Sequence, residues 1–135
     1  MTLEVGRWSL AAAGILGASG VAAGAFGAHG LKAIVSPPML SIWQTGATYQ
    51  LIHALALLAL SLFMLNNPYL TQRSQWLKWV AGCWLAGTVI FSGSLYALVL
   101  TATPQLGAVT PIGGVLLIFG WLLLTLAGLT FPRPS

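Results

Sequence analysis

Apolar positions along the chain fall into four long runs, separated by short breaks that carry proline, asparagine or charge. A membrane-crossing helix needs about 20 mostly apolar residues. Four segments meet that length: Trp8 to about Ala28, about Gly46 to Leu65, about Leu77 to Leu100, and Ile112 to about Phe131. The breaks are those that end helices. Asn66-Asn67-Pro68 closes the second run, Thr103-Pro104 follows the third, and Thr110-Pro111 opens the fourth as N-cap and N1. The pattern predicts an all-α polytopic membrane protein, a single four-helix transmembrane domain over 1–135 without an extramembrane module. Ser36-Pro37-Pro38 before Met39 to Trp43 predicts a short interfacial helix in the first outer loop, with Trp43 at headgroup level.

Composition agrees. Of 135 residues, 58% are hydrophobic and 4% charged, against about 25% charged in soluble domains. Mean hydropathy is +0.91. The first run, with Arg7 before it and Ala23-Gly24-Ala25 near its end, also has the outline of a secretory signal. Its length is that of a full span, and a retained helix is expected.

The basic residues set an expected orientation. Arg7, Arg73, Lys78 and Arg133 fall on one side of a four-span chain and Lys32 alone on the other. The expectation is the bacterial inner (plasma) membrane, multi-pass, with N- and C-termini inside. Net charge is +4 but scattered, so no nucleic-acid surface is expected.

In lipid, helices associate through close packing of small residues. At about 100° per residue, Gly14, Gly17, Gly20, Gly24 and Gly27 share an arc of roughly 140° on the first run. Gly17 and Gly24 are expected to face a neighbour, and Ala11 and Ala22 to face lipid. Gly82 and Gly87 share a similar arc on the third run with Cys83, which reads as a packing residue. Gly113-Gly114 and Gly120-Trp121 are expected contact sites on the fourth, near its outer end and at mid-depth.

The second run differs. Thr45, Gly46, Tyr49, Gln50 and His53 share one arc, a polar stripe that must face other helices, another subunit or a wet pocket. Four stretches now stand out together: Gly24-Ala25-Phe26-Gly27-Ala28-His29-Gly30-Leu31, Tyr49-Gln50-Leu51-Ile52-His53-Ala54-Leu55, Phe91-Ser92-Gly93-Ser94-Leu95-Tyr96, and Pro111-Ile112-Gly113-Gly114 with Gly120-Trp121. Their order and spacing resemble the YgdD-like family of small bacterial inner-membrane proteins, a domain of unknown function with similar small transmembrane proteins in eukaryotes. The resemblance spans nearly the whole chain. It implies a four-helix membrane protein and carries no activity.

Chemistry has little to work with. Glu4 is the only acidic side chain, which excludes paired-carboxylate mechanisms, and without Asp there is no Ser-His-Asp triad. His29 and His53 lie about 10 Å apart in expected depth, too far to share a haem iron. Two His and Cys83 fall short of a zinc site. No catalytic, cofactor or metal residue is therefore expected, and no cofactor. His53 reads as a neutral imidazole that bridges helices beside Tyr49, and His29 as a cap on the end of the first helix. Tyr49, Gln50, His53 and His29 are the candidate polar site, structural or ligand-binding.

Function reads as non-enzymatic: an accessory or assembly partner packing against another membrane protein or a second copy within the lipid bilayer. The alternative is a small lipid- or quinone-binding module, or a small permease, using the His53–Tyr49–Gln50 stripe.

Overall fold

A computed structural model describes residues 2–131, and Arg133 of the expected inner charges lies outside the described residues. The described residues form five α-helices: α1 (Thr2–His29), α2 (Pro37–Asn66), the short α3 (Pro68–Arg73), α4 (Trp76–Thr101) and α5 (Thr110–Thr130). Single 3-10 turns at Leu31–Ala33 and Pro104–Ala108 fill the two loops on the far side from the N-terminus. Among the described residues there is no strand. Helices α1, α2, α4 and α5 are each long and apolar enough to cross a membrane, and they contain the four expected runs.

Proline sets the starts. Pro37, Pro68 and Pro111 each sit in the first positions of a helix, where the missing N–H costs nothing. Thr110 does not cap α5 as expected. It lies within the first turn, and its hydroxyl sits 2.7 Å from Ser94 Oγ on α4. Residues 37–43 are likewise no separate interfacial helix. They are the first two turns of α2, because nothing between Pro38 and Gly46 breaks the helix. The loop's own short helix is the 3-10 turn at Leu31–Ala33. Trp43 leaves the headgroup level for the interior. It is 5% exposed, its indole N–H donates to the Ala23 carbonyl at 2.7 Å, and its ring lies over Gly27 and beside Tyr96.

The long helices stand in a row in chain order. α1 packs on α2, α2 on α4, and α4 on α5, while α1 meets α4 only lightly. Short connections make each consecutive pair antiparallel. The larger core lies toward the end bearing the N-terminus, around Leu57, Met64, Val80, Trp84 and Leu117. A smaller one at the other end joins Leu31, Trp43, Leu98 and Val99.

Small residues admit the contacts. A Cβ on Gly113 would run into the backbone of Phe91 and the Gly87 carbonyl, so α4 and α5 touch backbone to backbone there. Gly87 in turn receives Leu117, and Gly20 receives Leu51 of α2. Three other positions of the glycine arc on α1 are different. A Cβ added at Gly14, Gly17 or Gly24 would meet nothing within 4 Å, and the same holds at Gly82. Gly114 has only loose contact with Phe91. The reason is the row: α1 stands at its edge, so α2 covers one flank of the arc and no described helix of this chain covers the other.

Candidate functional site

Gly46, Gln50 and His53 of the expected polar stripe lie inside the row, where neighbouring helices take up their hydrogen bonds, while Thr45 and Tyr49 stay exposed at its margin. Gln50, 5% exposed, joins α2 to two of them. Its amide nitrogen donates to the Leu16 carbonyl at 2.9 Å and to Ser19 Oγ at 2.8 Å, both on α1. Its carbonyl oxygen accepts the Tyr96 hydroxyl of α4 at 2.8 Å. One turn earlier the Gly46 carbonyl accepts Ser92 Oγ at 2.7 Å. Thr45 is exposed and bonds back to the Ser41 carbonyl.

His53, 4% exposed, sits at the centre of an aromatic cluster. Its Nδ1 is 2.8 Å from the Tyr49 carbonyl, and its Nε2 is 3.2 Å from the indole nitrogen of Trp121 on α5. A carbonyl only accepts and an indole N–H only donates. The two bonds together therefore require the neutral imidazole with its proton on Nδ1. Doubly protonated, the ring would turn an N–H toward the Trp121 N–H. Trp84 and Trp121 rings lie 4.5 Å apart and both meet His53 edge-on, while Tyr49 packs on Phe91 at 4.7 Å. Tyr49 itself is 43% exposed.

Trp84 is the wall of this cluster, 2% exposed and pressed onto Gly120, where a Cβ would come within 2.6 Å of its Nε1. That indole N–H is buried without a partner among the described residues. Trp84 and Trp121 are not among the residues the sequence singles out for chemistry. The available signal is Gly120 beside Trp121, a small residue on one span that leaves room for a large ring from its neighbour.

The other candidates lie elsewhere. His29 is the exposed last residue of α1, and the Phe26 carbonyl at that end is taken by the Gly30 N–H at 2.7 Å. It is not brought to His53. Cys83 is partly buried and packs against the larger core. Among the described residues no three of His, Cys, Asp and Glu gather at one place. A further tie, Ser61 Oγ to Ser9 Oγ at 2.8 Å, joins α2 to α1 with both residues fully buried. The arrangement holds helices together through neutral hydrogen bonds.

Comparison with known proteins extends this reading. The family model described as "Protein of unknown function (DUF423)" matches residues 23–114. A UPF0382 membrane protein of Staphylococcus aureus (strain bovine RF122 / ET3-1) is 45% identical over 111 residues, covering 82% of this chain and 86% of the relative. A UPF0382 membrane protein of Staphylococcus epidermidis (strain ATCC 35984) is 47% identical over the same length and shares. No solved structure matches the chain. With four spanning helices and relatives of this kind over most of its length, the chain belongs to the DUF423 family, multi-pass membrane proteins of unknown function.

Proposed function

We propose that this protein is a non-enzymatic accessory protein of the bacterial plasma membrane. It packs through the outer flank of α1 against a helix of another membrane protein or of a second copy. The observation that carries the reading is the open glycine flank: Gly14, Gly17 and Gly24 have no neighbour within 4 Å of a Cβ position. Ala18 and Ala25 extend the small-residue surface on the same exposed side of α1. Leucine would suit lipid as well, whereas small side chains let a second backbone come close. Gln50 and His53 engage their polar groups inside the chain, so they support internal bracing over a headgroup or quinone site. The orientation that goes with this reading has both termini inside, following the basic residues.

Native mass spectrometry of gently solubilised protein tests it. A co-purifying membrane protein or a second copy is expected with the wild type and is lost in Gly17→Leu. A chain that is monomeric and alone at every detergent concentration would overturn the reading.

A further inference from the structure

α2 and α5 both lean on α4 without packing closely on each other, and the space between them is an apolar slot of about 280 Å³. Ala56 and Ala59 form its α2 wall, Leu124 its α5 wall, and Leu77 and Trp84 of α4 its floor. Two aromatic bridges cross it. At the upper end Trp121 donates to His53. At the lower end Phe63 stacks on Phe131, ring centroids 5.8 Å apart. The bridges are ten residues apart on both sides of the slot, His53 to Phe63 and Trp121 to Phe131, which is about 15 Å of helix.

That length identifies a depth. Phe63 is three residues from the end of α2 and Phe131 follows the end of α5, so the lower bridge lies near the headgroups. The upper one then lies near the bilayer middle, since half of a hydrocarbon core about 30 Å thick is about 15 Å. The size identifies an occupant. A helix about 10–12 Å across with its side chains and about 15 Å long fills more than about 1,000 Å³, against about 280 Å³ in the slot. A polymethylene chain, which needs only ordinary carbon contact at about 4 Å, fits. The same end of the molecule carries the basic residues Arg7, early in α1, and Lys78, which lies on a neighbouring face of α4 with Gln75 and Trp79.

We propose that this slot is a lipid site that holds one acyl chain of an anionic phospholipid from the leaflet at that end. The chain threads from headgroup level to the His53–Trp121 bridge, which acts as its end stop. This proposal stands apart from the docking face on α1.

Delipidated protein in mild detergent, titrated with phosphatidylglycerol and followed by native mass spectrometry, provides the test. One retained phospholipid per chain is expected. Ala59→Leu, at the exposed lip of the slot, and Ala56→Leu should each weaken retention by about tenfold, with circular dichroism confirming an unchanged helix content. Ala11→Leu on α1 should retain lipid as the wild type does. On the wild-type protein itself, dihexanoyl phosphatidylglycerol, too short to reach the upper bridge, should bind about tenfold less tightly than the dimyristoyl form. Equal retention by Ala59→Leu and wild type, no preference for the longer chain, or a retained molecule that is not a phospholipid would overturn the proposal.

Discussion

His53 Nε2 accepts the indole N–H of Trp121 where α2 and α5 do not pack closely, joining the two helices beside Trp84. The bond exists only while the imidazole is neutral, because Nδ1 already gives its proton to the Tyr49 carbonyl. Interhelical hydrogen bonds in membranes average about 0.6 kcal/mol and rarely exceed about 1.7. His53→Leu and Trp121→Phe should each leave the protein folded. Their double-mutant cycle, read by unfolding in a denaturing detergent, should return a coupling of about 0.6 kcal/mol. A coupling of zero would mean that the two rings meet without bonding.

Gln50 is expected to matter more than His53. One side chain serves two acceptors on α1 and one donor on α4. Gln50→Leu removes all three bonds, so the loss should approach about 2 kcal/mol at about 0.6 each. It also leaves the Tyr96 hydroxyl facing an apolar side chain. Tyr96→Phe removes only the last bond and should cost about a third as much. The same detergent-unfolding measurement on both variants gives the ratio, and a Gln50→Leu loss no larger than that of Tyr96→Phe would show that the α1 bonds contribute nothing.

The four spans are legible because hydrophobic run length alone sets them, and Asn66-Asn67-Pro68 and Pro111 mark ends that the structure keeps. The inward stripe of α2 is legible too, since Gln50 and His53 have no cheap place in lipid. Their partners are not. A projection at 100° per residue says which side chains share a face, and is silent on which helix stands opposite. For that reason Leu16 and Ser19 escape notice in the sequence, Trp121 stands out beside Gly120 without being matched to His53, and the open flank of α1 reads there as covered. Trp43 misleads for a related reason. Its position next to a loop is that of a belt tryptophan, and only Gly27 on a neighbouring helix makes room for it inside. The helix α3, six residues of mixed character, carries too little pattern to announce itself.

Glycines on the two flanks should respond in opposite ways. At Gly113 an added Cβ meets the Phe91 backbone, which cannot rotate away as a side chain would. Gly113→Ala should therefore force α4 and α5 apart and cost about 1–3 kcal/mol, the usual range for overpacking. Gly24→Ala adds a methyl group in open space and should leave the isolated chain as stable as before, or slightly more so, since alanine favours a helix. Thermal unfolding of both purified variants distinguishes them. Similar losses at the two sites in the monomeric protein would mean that another part of this chain packs along this flank.

Ala102 closes α4 with φ 51 and ψ 36, the one left-handed non-glycine residue among those described. The turn uses this geometry to return the Ala102 and Thr103 amides to the Leu98 carbonyl, the latter at 3.2 Å. An L side chain in that region costs roughly 1–2 kcal/mol. Ala102→Gly removes the strain but gives the unfolded chain more freedom, which offsets about 0.5–1 kcal/mol of it. A net gain of up to about 1 kcal/mol is expected, seen as a rise in Tm. A fall would show that the methyl group makes a contact worth more than the strain.

The final prediction concerns the way the row is threaded through the membrane. Lys32 and Gln105 sit in the two loops at one end of the helices, and Gln72 in the short α3 at the other. Arg7, Arg73 and Lys78 belong to the end with Gln72, and Arg133 follows α5 in the sequence, so the balance of basic residues favours keeping that end inside. Single cysteines at the three positions, placed in a Cys83→Ser background, should divide under a membrane-impermeant maleimide. Lys32→Cys and Gln105→Cys should react in intact cells, and Gln72→Cys only after the membrane is opened. The reverse division would invert the orientation while keeping four spans. Reaction of all three from one side would contradict the threading itself, because α2 and α4 each separate a pair of these sites by the length of a full crossing.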